Sequence, residues 1–488
     1  MKIFNSIMEF MGFEKVVEAH RERGGVRWKR RRQQPDSVSQ KVNDKKIDYV
    51  LNDMSTPMLI KSMMAPPKPD FPRFVVKDYA GGGFPRGSVQ SQAANCYVTV
   101  ANVLNFHKGL TDKPIKKWPG TPSLAILPRK GEDLNAYYDR RTLSFFYFNH
   151  KAIGGSVFTA DSADIVAHEL GHAMLDAYRP DTWGAASLEI WSFHEAFADL
   201  TAIINIMSHR EVLAYAINQT DGDMRKPNVI SNLAEHVGQA IYKVTGPSSG
   251  RNPEALRSAI NSFKYVNPGS LPKEAPAYKL AAECHSFGRI FLGAFYDMIV
   301  MIYEDIKSQG NFGPIDSLAQ SRDLVYKYTL KAIQFAPVNV RFYESMAKTM
   351  LWADVTMNQR KYHDRMMQIF MDRNLMRPQL KILSAPICDN DDYILSTQSK
   401  MNLKLGDHLI RAQSNNPLYD VEIEIPHDSV YLYDNNKQLV DSISCTDDEA
   451  LIGAQDMINY LHDAAKVNDS EETPFAVENG KLIRKHFE

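Results

Sequence analysis

A chain of 488 residues is longer than a single hydrophobic core usually serves, so two or three domains are expected. A hydrophobic content of 44% and a charged content of 24% are those of a folded, water-compatible protein and exclude a disordered chain. A net charge of −1 gives no global pull towards nucleic acid or anionic membrane, and four scattered cysteines (Cys96, Cys284, Cys388, Cys445) form no disulfide framework.

Met1 to Val17 carries an apolar stripe broken by Glu9 and Glu14, without the charged start or small-residue cleavage site of a signal peptide. A helix packed on the body is the expectation, with surface docking as the alternative. No apolar run is read as long enough to span a bilayer, so a cytoplasmic protein, or one exported by a leaderless route, is expected. Arg21 to Arg32 is densely basic, but Asp36, Asp44 and Asp48 follow soon after, which favours a solvated linker over a nucleic-acid patch. Residues 1–78 are taken as an N-terminal extension with a proline-rich end. Asn95 to Phe106 alternates between strand and helix character, and the aromatics of Leu143 to Phe148 indicate a strand.

Ala163 to Ala177 has no proline and is rich in Ala, Leu, Met and Ile, which predicts a helix. Within it stands His168-Glu169-Leu170-Gly171-His172. Residues four apart share a helix face, so His168 and His172 present two imidazoles together, a pair suited to tetrahedral Zn²⁺. Glu169 sits one position round, within reach of a metal-bound water. A second predicted helix carries His194-Glu195-Ala196-Phe197-Ala198-Asp199-Leu200. Its Glu195 would be the third ligand, leaving a fourth position for water, and Asp199 would take a hydrogen bond from the outer nitrogen of a ligand histidine.

The pair HELGH and HEAFADL resembles the thermolysin-like metallopeptidases, zincins whose third zinc ligand is a glutamate. Further stretches match in the same chain order. Leu134 to Tyr138 resembles the edge strand whose Asn and Ala, here Asn135 and Ala136, hold the substrate backbone. Asp161 to Asp176 resembles the active-site helix. Ala255 to Ser258 resembles the segment whose arginine, here Arg257, contacts a substrate carbonyl. Cys284 to Ile290, through Phe295-Tyr296, resembles the segment whose histidine, here His285, stabilises the transition state. The likeness extends from Tyr79 to Arg377. It implies an α+β, thermolysin-like two-lobed fold, with a strand-rich lobe over 79–178 that ends in the active-site helix and a helical lobe over 179–377.

The chain departs from the pattern in places. Little of the family's long inhibitory pro-segment could fit before the catalytic part. Tyr178, Trp183 and Trp191 are candidates for the side chain that contacts the oxyanion, with Tyr178 preferred. Asp164 matches a calcium-ligating position, but the acidic partners expected after Asp199 are missing, which puts Ca²⁺ in doubt. The acid that orients the histidine is not at the family's spacing, although Glu283 is near His285. Asp221-Gly222-Asp223 is read as a polar turn.

From Phe287 to Arg377 the periodicity is helical. Past Pro378, strands are expected at Tyr393 to Ser396, Asp420 to Ile425, Ser429 to Tyr433 and Gln438 to Ile443, then a helix from Asp447 to Ala465. Glu478-Asn479-Gly480-Lys481 marks a hairpin between Phe475 and Ile483. Residues 378–488 thus form an appended α+β module. The expected function is that of a zinc endopeptidase acting on peptide or protein substrates, with Zn²⁺ held by His168, His172 and Glu195. A zinc aminopeptidase or other zinc hydrolase, and a catalytically silent zincin-fold binding protein, are the alternatives.

Overall fold

The computed structural model describes residues 46–56, 59–81, 84–185, 187–377, 394–397, 400–404, 422–463 and 474–487. The apolar stripe of Met1 to Val17 and the basic run of Arg21 to Arg32 lie outside them.

The β-branched and aromatic runs early in the chain form short strands. β1 (Ile47–Val50) and β2 (Ile60–Met63) make an antiparallel hairpin. β3 (Phe74–Val76), β4 (Leu124–Leu127), β5 (Ala136–Tyr138) and β6 (Thr142–Phe145) form a four-stranded mixed sheet in the order β3-β4-β6-β5, with β5 at one edge. The aromatic run at Leu143 to Phe148 is not one strand. It ends one sheet and, after Phe146, begins the hairpin of β7 (Tyr147–His150) and β8 (Gly155–Phe158).

The ambiguous stretch after Asn95 is helical. It belongs to α1 (Val89–Lys108), whose start is capped by the Ser88 hydroxyl and whose apolar residues are buried beneath the sheet. α2 (Ala163–Tyr178) and α3 (Leu188–Met207) follow, and α3 is buried along its whole length. α4 (Arg210–Thr220), β9 (Asn232–Leu233), α5 (Glu235–Thr245) and β10 (Arg257–Ser258) lead to α6 (Cys284–Ser308), α7 (Pro314–Phe335), α8 (Phe342–Asn358) and α9 (His363–Asp372). The helical region expected from Phe287 to Arg377 is therefore four helices. The chain is mixed helix and strand, as the α+β expectation requires.

Two glycines explain how closely the central helices approach. A Cβ on Gly171 would lie 2.7 Å from the Ala198 Cα, so α2 meets α3 backbone to backbone at that point. A Cβ on Gly288 would lie 2.8 Å from the Ser192 oxygen and 3.1 Å from the Glu195 Cβ, so α6 comes equally close to α3. Three helices thus converge around Glu195.

α6 qualifies the expectation about membrane spans. Its 25 residues, with a mean hydropathy of 1.3 over the most apolar window, are long and apolar enough to cross a bilayer, but 78% of that window is buried inside the protein. Its apolarity is that of a core helix.

Beyond residue 378 the described parts comprise β11 (Ile394–Thr397), β12 (Lys400–Lys404), β13 (Glu422–Pro426), β14 (Ser429–Tyr433), β15 (Leu439–Ile443), α10 (Asp447–Asp463), β16 (Phe475–Glu478) and β17 (Lys481–Arg484). Asn479 and Gly480 both have positive φ, 51° and 75°, the geometry a two-residue hairpin between β16 and β17 requires. This region shares the core of the rest. Ile423, Ile425, Cys445, Ala454, Met457, Phe475 and Phe487 belong to the same hydrophobic cluster as the residues of α2, α3 and α6. The Trp352 indole donates to the Tyr433 carbonyl at 2.7 Å, and the Trp183 indole to the Arg484 carbonyl at 3.2 Å.

Candidate metal centre

The i, i+4 spacing on α2 brings His168 and His172 to one face, and the Gly171 contact presses that face against α3. The two Nε2 atoms stand 3.2 Å apart. The Glu195 carboxylate is 3.4 Å from His168 Nε2 and 3.7 Å from His172 Nε2. Ligand atoms on a zinc ion at about 2.0–2.1 Å stand roughly 3.3 Å apart when tetrahedral, so the two nitrogens and the carboxylate, Oε2 towards His168 and Oε1 towards His172, already stand near the spacing of three corners. All three residues are buried. Glu195 Oε2, His172 Nδ1 and the neighbouring Glu169 Oε2 are buried without a hydrogen bond among the described residues. Buried polar atoms are rarely left so, and a cation with a bound water would satisfy the two carboxylates. The residues fit a metal ion.

A second layer fixes His168. Its Nδ1 bonds Asp199 Oδ1 at 2.8 Å, and Arg257 holds the same oxygen through Nε at 3.0 Å and Nη2 at 2.8 Å. Asp199 sits one turn after Glu195 on α3, so a single helix supplies both a ligand and the support of another ligand. Burial raises the Asp199 carboxyl, but the charge of Arg257 and the His168 hydrogen bond more than reverse this and hold it below its ordinary value. The same contacts act on His168 in the metal-free protein. Burial lowers its pKa, and Asp199, with help from Glu195, brings it up to about 9. His172, desolvated and facing His168, is held well below the ordinary value, so the pair divides into one charged and one neutral imidazole. Burial pushes Glu169 up to about 7 against the pull of His168.

His285 is the second residue of α6, and its Nε2 lies 3.4 Å from Glu195 Oε2. Its Nδ1 is 2.6 Å from Glu283 Oε1, which settles which acid orients it. Glu283 can do so from two residues away because it is the N-cap of α6. Its carboxylate also accepts from the backbone N–H groups of His285 and Ser286. Burial raises Glu283, but His285 and these donors hold it far below the usual carboxylate range. His285 is correspondingly held well above its ordinary value, because the carboxylates of Glu195 and Glu283 outweigh its burial. Cys284, adjacent to His285 and Glu195, is pushed up to about 11 by burial.

Of these groups His168, Glu169, Asp199, Arg257 and His285 border a cavity of about 130 Å³, together with Leu134, Asn135, Ala136 and Leu256 among others. Asn135, Ala136, Arg257 and His285 are thus gathered with the ligand set. Arg257, expected to contact substrate, is bonded to Asp199.

Tyr178 is not brought there. Its hydroxyl bonds His107 Nε2 at 2.6 Å and the Lys113 carbonyl at 2.7 Å, away from the cavity. It lies six residues after His172, about 240° further round the helix, so α2 turns it towards α1. Trp183 and Trp191 do not line the cavity either; both pack against the β16–β17 region. Asp164 is tied to the backbone N–H groups of Ala234 and Ile165, and burial beside Asp53 pushes it up to about 8.

One neighbour carries no local sequence signal. The Phe487 ring stacks on His172, with centroids 4.9 Å apart, and on His194 at 4.0 Å.

Comparison with protein-family models and with curated proteins finds no match for this chain.

Proposed function

We propose that this chain is a zinc-dependent peptidase on a thermolysin-like two-lobed plan, hydrolysing peptide bonds with Glu169 as general base. One observation carries the reading. Two imidazole nitrogens and the Glu195 carboxylate stand at tetrahedral spacing beside a cavity that also receives Glu169 and the edge of a β-strand. Two imidazoles and a carboxylate with an open fourth position are the donor set of a catalytic rather than a structural zinc site. Zinc held there supplies Lewis acidity towards the scissile carbonyl and lowers the pKa of a water.

The chain's own residues supply the rest. Glu169 takes the proton of the attacking water on Oε2 and passes it to the nitrogen of the departing amine. His285 donates from Nε2 to the carbonyl oxygen as charge develops, while Glu283 holds its Nδ1. Asp199, clamped by Arg257, keeps the His168 Nδ1 proton in place so that Nε2 faces the ion. Asn135 and Ala136 orient an extended peptide.

The test is Glu169→Gln. It should keep one equivalent of zinc by metal analysis and lose roughly 100- to 10,000-fold in hydrolysis of an unfolded protein. Loss of the metal in that variant, or undiminished hydrolysis, would sink the assignment.

A further inference from the structure

The edge of β5 beside the metal centre is already partly used by the chain itself. Tyr138 N–H donates to the Phe487 carbonyl at 3.0 Å, and Phe487 N–H to the Tyr138 carbonyl at 2.8 Å, the reciprocal bonds of an antiparallel pair. Carbonyl and amide directions alternate along a strand, so Ala136 turns its backbone groups to the same edge as Tyr138; its N–H donates to Asn135 Oδ1 at 2.7 Å, so its carbonyl is the group that a peptide N–H would meet. Asp139 N–H, one residue on, instead reaches back to the Thr142 carbonyl on the inner side. Ala136 lines the cavity with His168 and Glu169. A peptide added to β5 at Ala136 therefore continues the line of Phe487 and passes the ligand set.

Polarity follows from that pairing. An antiparallel strand reaches the position opposite Tyr138 before the position opposite Ala136. A peptide seated at Ala136 therefore points its N-terminal end at Phe487, with the one position opposite Tyr137 between them. Phe487 is firmly held. It is 2% exposed, lies against His172, His194 and Trp183, and is covered by the Arg484 guanidinium 3.7 Å from its ring centroid.

We propose that the segment from Arg484 to Phe487 is a fixed stop at one end of the substrate strand, so that the site takes peptides with only a short overhang on the N-terminal side. The substrate class is then the N-terminal ends of extended chains, and hydrolysis releases short N-terminal fragments. This rests on the peptidase reading and narrows the endopeptidase expected from the sequence. On the C-terminal side the strand runs from Ala136 past Asn135, where the cavity lies.

The experiment is a ladder of unstructured peptides lengthened one residue at a time at either end. Binding is measured by fluorescence anisotropy to zinc-loaded Glu169→Gln, and hydrolysis by the zinc-loaded wild-type protein is mapped by mass spectrometry. Extension at the C-terminal end should leave affinity unchanged or improved. Extension at the N-terminal end should lower it about 10- to 100-fold once Phe487 must be displaced, the equivalent of exposing one buried phenylalanine. Cut bonds should sit at a fixed short distance from the N-terminus, and cyclic peptides should remain intact. Phe487→Ala, verified as folded by its melting transition, should accept longer N-terminal overhangs; should it not fold, the wild-type ladder decides. Equal tolerance of both ends, cleavage of cyclic peptides, or an unmoved limit in folded Phe487→Ala would overturn the proposal. A one-sided limit in binding with no hydrolysis would support the stop and refute the peptidase reading, so the two failures are distinguishable.

Discussion

Gly171→Ala adds one methyl group at a backbone-to-backbone contact between the two ligand-bearing helices. The new carbon would stand 2.7 Å from the Ala198 Cα and 3.1 Å from the Thr201 Cβ. The Ala198 atom is backbone, so relief requires α2 and α3 to separate by about 0.8 Å to reach ordinary carbon–carbon contact near 3.5 Å. Overpacking of this kind costs about 1–3 kcal/mol, and the better helix propensity of alanine returns about 1 kcal/mol. The net loss of stability is therefore about 0–2 kcal/mol. Metal binding should suffer out of proportion. His168 and His172 ride on α2 while Glu195 rides on α3, and zinc tolerates errors of only about 0.2 Å in its bond lengths. Zinc affinity should fall at least about 100-fold, by competition with a chromophoric chelator, while thermal unfolding remains cooperative. Affinity within about threefold of wild type would refute the claim that this glycine sets the ligand geometry.

Other expectations address the surroundings of the site. Asp199→Ala should weaken zinc affinity by roughly 10- to 100-fold, because His168 loses the carboxylate on its Nδ1 and Arg257 loses its partner; chelator competition reads this directly. His285→Ala should keep zinc and lose about 100-fold or more in turnover; a metal-free product would make His285 a ligand instead. Glu189 concerns stability. Burial pushes its carboxyl from 4.5 up to about 7 despite Arg341 and the donors Tyr343 N–H and Tyr265 hydroxyl. The folded state thus keeps its proton to higher pH than the unfolded chain, so this group's contribution falls as pH rises from about 4.5 to 7 and is flat above. The span corresponds to at most roughly 3 kcal/mol. Denaturant titrations of Glu189→Gln should show a shallower decline over that interval, and an unchanged slope would contradict the assignment.

The parts of the site legible in the sequence are those set by local period. Both the histidine pair and the Glu195–Asp199 pair depend only on residues four apart on a helix, and each pair shares a face as expected. Joining the two pairs depended on close helix packing, and Gly171 and Gly288 acquire meaning only once their neighbours are known. Tyr178 is near the histidines along the chain but lies off the site, because helix phase turns its hydroxyl to His107 and Lys113. Glu283 stood outside the expected spacing, yet a helix N-cap two residues before a histidine can reach back to it. Phe487 lay beyond sequence reasoning, because a ring stacked on a residue more than three hundred positions earlier leaves no periodicity to read. In the fold, the Asn-Gly hairpin and the long helices were accessible. The split of the aromatic run at Phe146 was not, since both halves have the same strand-forming composition.

Glu283 serves two purposes with one side chain. One carboxylate begins a long core helix and also holds the imidazole that faces Glu195. Shortening it to aspartate would preserve a good helix start and release the imidazole; replacing it with a larger neutral group would disturb both. Change at this position is therefore one-sided: the helix start survives a shorter carboxylate, whereas the hold on the imidazole needs the full reach of glutamate. The histidine's acidity has a second handle on its opposite side, where Nε2 faces Glu195, and a change there leaves the helix start untouched.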